Sequence, residues 1–291
     1  MFCLKYKKSF FILFIVLSFI IVDQVRALTI SPSLTKIEIA PGESKNQIVT
    51  LFNETDQPIT FYSQVENFSA NKVTNTPVFL GNVEAAGAAR WFIVDPVSIK
   101  LASGEQKEVS IKIVASLTAE PGGHYAAVLW SDVAPQDGGV KTTSRVASLF
   151  LLTVKGEINE NLQIISFNKV AGENKFDLQI ENQGNVHLQP AGQLQILNRQ
   201  GKVVAVTPIN LLKQNILPQS RRDFSLLMSE KLPWGRYQAK VQIFFGQNKM
   251  VESSKIVFWQ GPENVGYSLL SLVGILLIGG VIYKIAKRKV S

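Results

Sequence analysis

The chain has 291 residues, 46% of them hydrophobic, and a formal charge of +8. Its basic excess sits at the two ends: residues 28–262 hold 22 Lys and Arg against 20 Asp and Glu, which leaves no electrostatic case for nucleic-acid binding. The only cysteine is Cys3, so the chain after it can form no disulfide, thiolate metal site or cysteine nucleophile.

At the N-terminus, Lys5, Lys7 and Lys8 precede the uncharged, dominantly apolar run 10–22. Asp23 ends the run, and Val25-Arg26-Ala27 offers a small-residue cleavage site. This is the layout of a secretory signal peptide over 1–27, cleaved after Ala27. The run is shorter than the roughly 20 apolar residues of a spanning helix.

From Leu28 onward the pattern is all β. No sustained helical period occurs before Pro262; short apolar alternations recur between turn residues. Val109, Ile111 and Ile113 alternate with Ser110 and Lys112. The stretch 146–154 is apolar on both faces, as a central sandwich strand would be. Phe176, Leu178 and Ile180 alternate with polar residues, as do Tyr237, Ala239, Val241 and Ile243. Turn signals such as Pro41-Gly42, Ser103-Gly104 and Arg199-Gln200-Gly201 separate the strands. Strands of this length and spacing predict two tandem Ig-like β-sandwich domains, over 28–156 and 157–261, divided near Gly156. LFNETDQP at 51–58 and IENQGNV at 180–186 each read as a strand entering an Asn-rich turn. They raise the alternatives of a weak internal repeat and of two similar hairpins.

Beyond the second domain, 265–283 is a stretch of 19 residues without a charge. At about 1.5 Å per residue it matches the hydrocarbon thickness of a bilayer. Tyr267 and Tyr283 fall at its ends, and Lys284, Lys287, Arg288 and Lys289 follow in the tail 284–291. The expectation is one C-terminal transmembrane helix with a basic cytoplasmic tail, which places the body of a single-pass cell-membrane protein outside the cell.

Chemistry is sparse. His124 and His187 have no second ligand or triad partner at a usable spacing. No HExxH, GxSxG, Walker or GxGxxG motif occurs. Asp132 and Asp137 flank a glycine-rich turn, which reads as a solvated loop with weak calcium binding as the alternative. The expectation is a protein without catalytic residues, cofactor or metal. The aromatics carry the one binding signal, because an exposed ring can stack on a sugar or mark an interface. The candidates are Trp91, Trp130, Phe244, Phe245 and Trp259, with core packing as the competing role of each. Phe244 and Phe245 are neighbours on one strand and must face opposite sides of its sheet.

Three segments, LTISPSLTKIEIAPGESKNQIVTLFNETDQPITFYSQVENF (28–68), WFIVDPVSIKLASGEQKEVSIKIVAS (91–116) and PGGHYAAVLWSD (121–132), resemble the N-terminal domain of pilus-chaperone-like Ig folds. Their order looks still more like the WxL-interacting surface proteins of Gram-positive bacteria. IENQGNVHLQPAGQLQILNRQGKVV (180–204) and LPWGRYQAKVQIFFG (232–246) are similar to the second domain of that family. The resemblance implies a non-catalytic, membrane-anchored binding or scaffold protein. Its first domain would contact peptidoglycan, its second host or matrix partners, and the whole would associate with a WxL-type wall protein. The alternative is a membrane-tethered assembly chaperone that pairs an exposed strand edge with a client.

Overall fold

The computed structural model describes residues 28–71, 76–81, 87–134, 145–228, 231–253 and 255–261. The signal peptide, the apolar stretch 265–283, the tail with Lys284, Lys287, Arg288 and Lys289, and Asp137 lie outside them. The regular structure of the described residues is almost all strand; their one helix is a 3-10 turn at Ala88–Trp91. None of their helices is long and apolar enough to cross a membrane. They fall into two compact units: one holds 28–68, 79–119 and 124–154, the other 69–78, 120–123 and 155–261.

Unit 1 is built from two sheets. One runs β1 (Leu28–Ser31), β3 (Ser44–Asn53), β8 (Gln106–Val114), β6 (Phe92–Asp95). The other runs β2 (Leu34–Ile39), β10 (Arg145–Val154), β9 (Gly122–Ser131), β4 (Ile59–Ala70), β5 (Pro77–Phe79), with β7 (Ser98–Leu101) also on β4. The alternation expected at Val109, Ile111 and Ile113 is present: all three are buried, against Val49, Leu51, Phe150, Leu152 and Trp130. Each large aliphatic side chain so buried contributes about 1.5–3 kcal/mol.

The apolar strand at 146–154 is an interior strand of its sheet, as expected. It stands one place in from the sheet edge, between β9 and β2. The β2 pairing is parallel, Leu34 to Ile39 against Leu149 to Val154. The first strand of the chain is split: β1 joins one sheet, and after Pro32 the chain crosses to the other as β2. The most continuous buried run belongs to β9, where Ala126 to Trp130 are all buried.

Unit 2 also has two sheets. One is β11 (Leu162–Lys169), β12 (Lys175–Asn182), β15 (Ser220–Leu227). The other is β14 (Val203–Ile209), β13 (Ala191–Leu197), β16 (Gly235–Phe245), β17 (Lys249–Glu252), with β18 (Ile256–Gln260) also on β16. Phe176, Leu178 and Ile180 meet Tyr237, Ala239, Val241, Ile243 and Phe258 in one core. Phe176 and Phe258 pack edge to face at 5.4 Å. Alternating sequence thus becomes a two-layer core, as a period of two requires.

Candidate functional site

Two surfaces carry features beyond packing. The first is the early part of β10. Pairing with β2 begins only at Leu149, so 145–148 run ahead of the ladder on that side. At the junction, Leu149 N–H donates to Ser33 O at 2.9 Å, and Ser148 Oγ donates to Pro32 O at 2.7 Å. Alternate residues of a strand turn their main-chain groups the same way. Ala147 and Arg145 therefore present theirs on the side where Leu149 meets Ser33, before β2 arrives and where β1 packs alongside β10. Such an edge is a template for another strand.

The edge is held by an ion pair. Arg145 Nη1 lies 3.1 Å from Glu66 Oε1 on β4, and the Glu66 side chain is only 4% exposed. Glu66 Oε2 also accepts the Gly81 N–H at 3.1 Å. A buried carboxylate costs free energy unless paired, so Glu66 fixes Arg145 at the start of β10. On β2, burial pushes the Lys36 ammonium below its ordinary value; it stands opposite Leu151 in the ladder.

The second surface is the outer face of the β13–β16 sheet. Phe244 is 48% exposed and Phe245 is 8% exposed, as the two-residue period demands. Phe244 stands opposite Ala191 on one side and Met250 on the other. A row of amides follows: Gln195 donates to Gln242 at 3.0 Å, and Gln242 donates to Glu252 at 2.6 Å. Lys240 pairs with the same Glu252 at 2.7 Å. Hydrogen bonds from Lys240 and then Gln242 hold the Glu252 carboxyl below its usual range. At the far end of the face, Trp259 is 71% exposed and lies opposite Arg236.

The five candidate aromatics therefore separate. Trp259 and Phe244 are exposed. Trp130 is 1% exposed and Phe245 packs in the core of unit 2, so neither offers a face to a ligand. Their strands have buried inner faces that need large side chains, which their local sequence does not distinguish from a binding surface. Trp91 is half-buried against the core of unit 1, its ring 4.8 Å from that of His124. Trp234, in the Pro233-Trp234-Gly235 turn, is also exposed, at 76%.

Little here supports bond-making chemistry. Among the described residues no group of three His, Cys, Asp or Glu gathers as a metal site. A depression of about 410 Å3 on the three-stranded sheet of unit 2 is lined by Ser166, Asp177, Gln179, Asp223 and Ser225, with Leu178 and Phe224. It holds no histidine, cysteine or lysine to pair with its carboxylates as base or nucleophile.

The sequence matches no family model and no curated protein, so the likeness to WxL-interacting proteins gains no support from them. Solved structures do align with the chain. The class 5 fimbriae chaperone CfaA is 16% identical, with a TM-score of 0.42, over 81% of this chain and 100% of that one. A structure of the Salmonella enterica SafA pilin with the SafB chaperone is 14% identical, with a TM-score of 0.38, over 81% and 98%. The E. coli chaperone DraB is 14% identical, with a TM-score of 0.36, over 80% and 98%. A PapD-like domain of human CEP192 also aligns, 13% identical, with a TM-score of 0.29, over 45% of this chain and 86% of that one.

Proposed function

We propose that this chain is a non-catalytic assembly protein that captures an extended segment of a client polypeptide at the open edge of β10. The observation that carries the reading is the offset of β2. It pairs with β10 from Leu149 onward, and among the described residues no ladder partner meets Arg145 to Ala147 on that side, where β1 packs nearby. Strand addition draws its affinity from main-chain hydrogen bonds and its selectivity from alternate side chains. The apolar stretch 265–283 would hold this unit at a membrane, as its length and basic flank suggest. Cell-wall polymer and a WxL-type partner rest on the resemblance alone, and the burial of Trp130 and Phe245 weakens the aromatic case for a sugar.

The test is capture of an extended peptide. The full chain would be offered an array of ten-residue peptides alternating apolar and polar side chains. The expected result is retention of a subset by the natural chain and its loss in Ala147→Pro, which deletes an outward N–H at a position where an edge strand tolerates proline. Equal retention by the variant, or no retention by the natural chain, removes the proposal.

A further inference from the structure

The end of unit 2 from which the chain departs has an unusual surface. Gly235 pairs with Gln260 and Arg236 with Trp259. Trp234, Arg236 and Trp259 thus lie at one end of the sheet, where β16 begins and β18 finishes. Two of the four tryptophans of the chain are here, both more than two-thirds exposed. Packing accounts for neither, although a ring of this size is normally buried.

Basic residues outnumber acidic ones around them, although Glu230 adjoins Lys231 and Glu263 follows Trp259 by four positions. β13 runs antiparallel to β16, with Leu197 opposite Gln238, so the turn 198–202 projects from the same end. It contributes Arg199 and Lys202, and the approach to β16 contributes Lys231 and Arg236. All four are exposed. The stretches 197–203 and 231–236 contain no acidic residue; Glu230 is the nearest in sequence. Exposed indole beside arginine and lysine is the composition of a surface that meets lipid headgroups.

The chain itself says which surface lies nearby. Only four residues, Gly261 to Asn264, lie between Gln260 and Val265, where the uncharged stretch 265–283 begins, so Val265 is five steps along the chain from Gln260. Five residues reach at most about 17 Å. If that stretch spans a bilayer, this end of unit 2 is confined near the headgroups.

We propose that this end of unit 2 rests on the lipid surface, with Trp234 and Trp259 seated among the headgroups and Arg199, Lys202, Lys231 and Arg236 facing anionic lipid. The assignment rests on 265–283 being the membrane anchor, and not on the strand edge of unit 1.

The experiment uses the full chain reconstituted in vesicles of phosphatidylcholine and phosphatidylglycerol, with and without bromine on the acyl chains close to the headgroup. The expected result is that bromine quenches part of the tryptophan emission, and that the double variant Trp234→Phe, Trp259→Phe lacks the quenched part. Both positions are exposed, so the variant should fold as the natural chain does. Absence of quenching in a chain that resists alkaline carbonate extraction would overturn the proposal and leave the anchor standing. Equal quenching in the double variant would also overturn it. Release of the chain by carbonate would overturn the anchor and this assignment together. Self-association in detergent that the double variant loses would give the face to a second copy instead.

Discussion

Asn53 and Asn182 do the same work in the two units. Each is fully buried at the end of a strand. Asn53 Nδ2 donates to Gln57 O, four residues on, at 2.9 Å, and its Oδ1 accepts the Thr55 N–H, two residues on, at 3.0 Å. Asn182 Nδ2 donates to Val186 O at 2.8 Å, and its Oδ1 accepts the Gly184 N–H at 2.9 Å. Each amide also reaches a distant carbonyl, Ala102 O at 3.0 Å for Asn53 and Ile216 O at 2.8 Å for Asn182. One side chain closes the local turn and ties it to a second segment.

Removing either amide strands buried main-chain groups, which is the costly direction of hydrogen-bond loss. Asn53→Ala and Asn182→Ala should each lower stability by about 2–4 kcal/mol, read as a shift of the denaturant midpoint. A loss well under 1 kcal/mol at both would mean that water replaces the amide.

Trp130 and Trp259 should respond in opposite ways. Trp130→Ala opens a cavity among Phe61, Val128 and Phe150 in the core of unit 1 and should cost about 3–5 kcal/mol. Trp259→Ala removes an exposed ring and should change stability by no more than about 0.5 kcal/mol. Thermal unfolding of the two variants side by side makes the comparison.

Arg145→Ala leaves the Glu66 carboxylate buried without its cation. The Arg145 side chain is 42% exposed, so solvent screens part of the pair and the loss should be about 1–2 kcal/mol. Glu66→Gln keeps an acceptor for the Gly81 N–H and should lose less than Arg145→Ala. If the order is reversed, the ion pair is not what holds the start of β10.

Acid should weaken unit 2 through Glu181. Its carboxyl is held below its ordinary value by a hydrogen bond from Arg221 and then by one from Gln183. A carboxylate whose folded value is depressed contributes stability that is complete above its unfolded value and is lost as pH falls through the folded one. The melting-temperature gap between the natural chain and Arg221→Ala should therefore be widest at neutral pH and close below the usual carboxylate range. A gap that does not narrow on acidification would contradict this.

Sequence alone determined the strands of both cores. Alternation at 109–113, 176–180 and 237–243 fixes which side chains turn inward, because a strand has a period of two and water rejects the apolar face. The same rule sent Phe244 and Phe245 to opposite sides. Asn53 and Asn182 were visible as turn residues, but their distant carbonyl partners were not, since those belong to segments more than thirty residues away in sequence. Only the tertiary structure decided that the first strand divides between two sheets, that β2 meets β10 in parallel, and that the meeting starts at Leu149. It also decided that Trp130 is core while Trp234 and Trp259 face water. Sequence does specify that a side chain is large and apolar. Whether water can reach it depends on which strands lie beside it, and strand pairing is a long-range choice that local sequence does not encode.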